Sequence, residues 1–260
     1  MKHEPFYSDV PDARVCVLMV HGFFGGPGHF EMLLPRIPKD WAIRMIRLEG
    51  HGGTIADFAR ARRAMWEAQV ERELLDVCQR YEAVVIVAHS MGCMLSANAA
   101  VKLGVEKKIS AMLFLGAALY PKCDPSFILT SLRFIWCDPA KDTPCLSAAR
   151  ACCGVTVHKR MWEYPTCIPP LLDLLAIARY TRKQIGSYDL PMIALQSYKD
   201  EVVNRRSIKP FLANPRARGE FLMDSGHFYY PKKDAERICD VFDGVVSDAN
   251  KKLQKVTFDN

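Results

Sequence analysis

No stretch of this chain keeps the roughly 18 consecutive apolar residues that a membrane-spanning helix needs, so no stable membrane insertion is expected. The opening residues, MKHEPFYSDVPDARV, lack the apolar core of a secretory signal, and the protein is expected in the cytoplasm. Blocks of five or six like charges are missing too. The net charge of +6 comes from 35 basic and 29 acidic residues scattered along the chain. That pattern fits a solvated surface and disfavours a nucleic-acid face. The ten cysteines have no framework spacing. In a reducing compartment they pack as small hydrophobes, Cys16 and Cys93 among them. Six of them (Cys123, Cys137, Cys145, Cys152, Cys153 and Cys167) share one segment with His158. No CxxC or HxxxH pair accompanies them, so no metal site is expected. Internal repeats and low-complexity tracts are also absent.

What the chain does have is half apolar residues and a quarter charged ones over 260 positions. That suffices for one α/β domain with an insertion, or for two small domains. Apolar runs of strand length recur at Val15–Val20, Trp41–Leu48, Val84–Ala88, Ser110–Leu115, Pro191–Gln196 and Gly219–Met223. Helical spacing of apolar residues predicts helices over 64–81, 90–103 and 235–246. Strands apolar on both faces that alternate with helices predict a mostly parallel sheet covered on both sides. The alternation stops after Leu115. Residues 120–186 carry the cysteines, several prolines and the run PPLLDLLAIARYTR, and they read as a small helical cap. Residues 1–119 and 187–260 would form the core. The polar tail after Asp248 is expected to fray.

Four stretches carry chemistry at strand ends. The strand Val84–Ala88 runs into AHSMGC, a variant of G-x-S-x-G with Ala88 at the first position. In such an elbow the serine stands on a strained strand-to-helix turn, and small neighbours let strand and helix approach. A serine nucleophile needs a base and an orienting acid, in the chain order serine, acid, histidine. Asp200 follows the run Met192–Gln196, and His227 follows Gly219–Met223, both at carboxyl ends of strands. Ser90, His227 and Asp200 are therefore the candidate catalytic residues. Asp189 and Asp224 compete for the acid, and His21, His51 and His89 for the base. The glycine-rich HGFFGGPG after Val20 has no lysine and no G-x-G-x-x-G register, which disfavours a nucleotide phosphate. It suits an oxyanion hole, with backbone N–H groups of Phe23 and Met91 as donors.

With HGFFGG, EGHGG, AHSMGC, YKDEVV and SGHFYY in this order, the chain resembles the α/β-hydrolase superfamily. More narrowly it looks like small bacterial carboxylesterases and monoacylglycerol lipases with a compact helical cap. The resemblance implies an α/β-hydrolase fold, a covalent acyl-enzyme, a small-molecule ester substrate, and neither metal nor organic cofactor. Short-to-medium acyl esters or monoacylglycerols are the expected substrates, with Phe24, Leu172 and Leu175 as substrate contacts. The apolar stripe of that last helix equally suits packing of the cap onto the core. Acyl transfer or thioester hydrolysis would use the same triad. A ligand-binding receptor with slow turnover would keep it as well. The residues specify no partner surface or oligomeric state.

Overall fold

The computed structural model describes residues 3–122 and 125–258. Seven strands form one sheet: β1 (Phe6–Ser8), β2 (Val15–Val20), β3 (Ala42–Ile46), β4 (Ala83–His89), β5 (Ile109–Leu115), β6 (Met192–Ser197) and β7 (Ala217–Leu222). Their order is β1-β3-β2-β4-β5-β6-β7. Only β1 runs antiparallel, pairing Phe6 with Met45 at the sheet edge. The helices are α1 (Ile55–Arg60), α2 (Arg63–Arg80), α3 (Met91–Leu103), α4 (Pro125–Trp136), α5 (Pro144–Cys152), α6 (Ile168–Gln184), α7 (Lys209–Leu212) and α8 (Lys232–Phe258). This is the α/β-hydrolase fold.

Strand periodicity divides the core in two. Cys16, Leu18 and Val20 point into one cluster with Trp66, Ile86 and Phe114. Val15, Val17 and Met19 point into the other with Phe30, Trp41, Val85 and Phe242. Both faces of β2 and β4 are therefore buried, which explains their unbroken apolar runs.

Three elements depart from the sequence reading. The edge strand β1 has three residues, too few for a period to register. Helix α1 is six residues long and depends on its cap: Thr54 accepts from the Asp57 N–H, and the Asp57 carboxylate accepts from the Thr54 N–H. Helix α8 does not stop near Asp248 but continues to Phe258. Trp41 Nε1 donates to Asn250 Oδ1, and Lys252 Nζ donates to the Ser110 carbonyl. These contacts tie the polar extension to the sheet.

Helices α4, α5 and α6 lie between β5 and β6. Of the cysteines in this insertion, Cys123 lies outside the described residues. His158 is paired with Glu163. Among the described residues, no helix is long and apolar enough to cross a membrane.

Candidate active site

The backbone at Ser90 has φ 53° and ψ −117°, a left-handed value that a non-glycine residue adopts only at a cost. It places the side chain at the end of β4, just before α3. The turn is tight because a Cβ on Gly92 would come within 2.1 Å of the Val20 carbonyl oxygen. Ala88 is fully buried on the other side of the elbow, and its methyl group is accommodated in the core.

Strands β6 and β7 bring the other two side chains. Asp200 follows β6. Its Oδ1 accepts from the N–H groups of Val202 and Val203 at 2.8 and 2.6 Å. Its Oδ2 lies 2.8 Å from His227 Nδ1, which must donate because the carboxylate only accepts. The Nε2 lone pair then faces the Ser90 hydroxyl at 3.0 Å. Burial lowers the His227 pKa, but Asp200's charge and hydrogen bond, with Glu201's charge, outweigh it and leave it above the usual value. Ser90, Asp200 and His227 are all buried.

The glycine-rich loop lies against the serine. A Cβ at Gly22 would stand 2.6 Å from Ser90 Cβ and 3.1 Å from its Oγ, so only glycine fits. Among the described residues, no intramolecular acceptor takes the Phe23 or the Met91 N–H. Phe24 sits at φ 58° with its ring stacked on Phe58 at 4.3 Å. Phe23 packs edge-on against the same ring.

The competing residues have other partners. Asp189 pairs with Arg216 and Asp224 with Lys199, both on the surface. The His21 Nδ1–H donates to the Gly22 carbonyl, and its Nε2 accepts from the Leu48 N–H. His51 hydrogen-bonds the carbonyls of Leu48 and Glu49. His89 turns away from the serine oxygen, and its Nε2–H donates to the His227 carbonyl at 3.0 Å.

Sequence reasoning missed the groups that hold His227. Glu201 Oε2 accepts the His227 N–H at 3.0 Å. The Tyr230 hydroxyl approaches the His227 carbonyl at 3.4 Å and His29 Nε2 at 3.3 Å. The His29 and His89 rings lie 3.9 Å apart, and His89 lies 4.6 Å from His227. Gly116, at φ 57°, supports the far side of the His227–Asp200 pair.

The insertion reaches the site from two directions. Cys145 Sγ lies 3.1 Å from where a Cβ on Gly226 would stand, beside His227. The Gly154 N–H donates to the Phe24 carbonyl at 2.8 Å, and the Gly154 carbonyl accepts from the Gly52 N–H at 2.5 Å. On α6, Leu172 is 59% exposed and Leu175 half-buried, whereas Leu171 packs with Phe23 and Phe24 on the core.

A serine on a strand–helix elbow, backed by a histidine and an aspartate from later strand ends, defines a class of proteins. Residues 17–240 match the model of the Alpha/beta hydrolase family, and the chain belongs to that family. A thermostable monoacylglycerol lipase from Bacillus sp. (strain H-257) is 34% identical over 90 residues. That match spans 34% of this chain and 35% of the relative's length. The structure reported for the metagenome-derived lipolytic enzymes LipS and LipT superposes with a TM-score of 0.69 at 19% identity. It covers 95% of this chain and 98% of its own. A monoacylglycerol lipase from Paleococcus ferrophilus gives 0.62 at 15% identity, covering 95% and 100%.

Proposed function

We propose that this protein is a serine carboxylic-ester hydrolase that uses Ser90, His227 and Asp200 to cleave short-to-medium acyl esters or monoacylglycerols. The observation that carries this reading is the continuous line from Asp200 Oδ2 through His227 to Ser90 Oγ, at 2.8 and 3.0 Å. The free Phe23 and Met91 N–H groups beside it and the 90-residue match to a monoacylglycerol lipase add support.

In this mechanism Ser90 Oγ attacks the ester carbonyl carbon while His227 Nε2 takes the hydroxyl proton. The carbonyl oxygen becomes negative and accepts from the Phe23 and Met91 N–H groups, which have no acceptor among the described residues. The imidazolium is stabilised by Asp200. The intermediate collapses, the carbon–oxygen bond to the alcohol breaks, and His227 returns its proton to the departing oxygen. Water then loses a proton to His227 and attacks the acyl carbon. The acid leaves and Ser90 regains its proton. Phe24, with Leu172 and Leu175 on α6, lines the path of the acyl chain.

Ser90→Ala is expected to abolish hydrolysis of p-nitrophenyl acyl esters and labelling by a fluorophosphonate probe. Labelling that persists in this variant would refute the assignment.

A further inference from the structure

A pocket lies beside Asp200, and it carries two cations against one carboxylate. It has a volume of about 220 Å³ and is lined by Lys122, Tyr198, Asp200, Asn204 and Arg205. Two paired segments build it. The Lys122 N–H donates to the Val202 carbonyl and the Asn204 N–H to the Tyr120 carbonyl, with Pro121 bridged to Val203. The pocket therefore sits where the insertion leaves the core.

Its cations are held in place but not neutralised. Arg205 stacks over the Tyr198 ring at 4.8 Å, which occupies its face and leaves its in-plane N–H donors free. Lys122 Nζ spends one N–H on the Asp200 carbonyl at 2.7 Å and keeps two. Beside them, Arg182 and Arg206 share the Tyr120 ring at 4.4 and 4.1 Å. Among the described residues, none of these four cations has a carboxylate within ion-pair distance. Several other arginines are matched fork to fork, as Arg14 is with Glu82, Arg62 with Asp173 and Arg237 with Glu220. The nearest acids are committed elsewhere. Asp200 faces His227 and two backbone N–H groups, and Glu201 takes the His227 N–H. In the pocket itself two cations face one carboxylate, Asp200, an excess of one positive charge that a bound anion would offset.

We infer that this pocket binds a phosphate-type oxyanion, with Arg205 as the fork and Lys122 as the point charge. At ~30 Å³ per water, the volume holds a phosphate group with some of its hydration. The Arg205 fork and the two remaining Lys122 N–H groups together match the several oxygens of a phosphate better than a single carboxylate. The shared chemistry admits two sources: a phosphate on the alcohol side of an ester substrate, or free inorganic phosphate. Lys122 Nζ joins the pocket to the Asp200 main chain, so the occupant contacts the loop that carries the catalytic acid.

The test is calorimetric titration of the intact protein with inorganic phosphate at constant ionic strength, with chloride as the balancing anion. Saturable binding is expected, weakened at least about tenfold in Arg205→Ala and partly restored in Arg205→Lys. Hydrolysis of a neutral monoacylglycerol should be unchanged in Arg205→Ala. Comparing an acylglycerol phosphate with that neutral ester then separates the sources. A raised KM for the phosphorylated ester alone assigns the site to a substrate headgroup. Lost phosphate binding with both esters unaffected assigns it to the free ion. Absent saturable binding, or equal affinity in wild type and Arg205→Ala, overturns the proposal. The titration does not rest on the ester-hydrolase reading, so its failure is distinguishable from failure of that reading.

Discussion

At the scale of single residues, the site depends on holding one imidazole in one orientation. Asp200 fixes the ring through Nδ1, while Glu201, His89 and Tyr230 fix the main chain of the same residue. Two consequences follow from this division. In the proposed mechanism His227 works as a base only when neutral, and its pKa lies above the usual 6.5 because Asp200 and Glu201 outweigh its burial. The acid limb of kcat/KM is therefore expected at an apparent pKa above 6.5, falling tenfold per pH unit below it. A limb below that value would mean that burial dominates. On that mechanism His89 would be a positioning residue, since it touches His227 and not the reacting atoms. His89→Ala is expected to lower kcat by roughly ten- to a hundredfold with little change in KM, as displacement of a catalytic group does. His89→Gln, which keeps a donor, should recover part of that loss. Equal losses in both variants, in step with their melting temperatures, would reduce His89 to a packing role.

Among the elements, the insertion is hydrogen-bonded to the glycine-rich loop after β2 through Gly154 and Phe24. Gly154 is held between the Phe24 carbonyl and the Gly52 N–H, and a Cβ there would stand 2.1 Å from the Gly25 carbonyl oxygen. Gly154→Ala must push the loop that carries Phe23. The expected result is a destabilisation of about 1–3 kcal/mol and a lower kcat on esters of every acyl length. Leu172→Ala, on the exposed face of α6, should instead change the preference among acyl lengths at constant stability. An acyl-length series with both variants checks the contrast. Such couplings mark the limit of what the sequence discloses. The elbow and strands such as β2 and β4 were legible because burial on both faces leaves unbroken apolar runs. Asp200 and His227 could be placed by their order after strand ends. The partners Glu201, Tyr230 and His29 were not legible, because they meet His227 through tertiary contacts with no spacing of their own. Helix α1 was hidden because a cap, not a period, defines it.

Over the whole molecule, buried histidine is the feature with the largest consequence for stability. Burial lowers the pKa of His21, His29, His51 and His89, to about 3 for His29 and about 4 for His51. Their rings pack among Phe30, Phe58, Trp66, Phe228 and one another, where a positive charge is poorly solvated. In the unfolded chain each takes up a proton near pH 6.5. Stability is thus complete above that pH and is lost as pH falls from 6.5 toward the lowered values. His227 acts in the opposite sense, because its raised pKa favours the folded state as pH falls toward 6.5, but it is one group against four. For His29 and His51 the loss at pH 5 is about 2 kcal/mol each, at 1.36 kcal/mol per unit. At that pH most carboxylates are still ionised, so the histidines set the slope. The melting temperature is expected to drop by about 10 °C between pH 7.5 and pH 5. His51→Asn should lower the melting temperature at pH 7.5, because the ring packing is lost, yet show a shallower fall toward pH 5. Parallel curves for the variant and the wild type would mean that His51 already carries a proton, or meets water, in the folded protein.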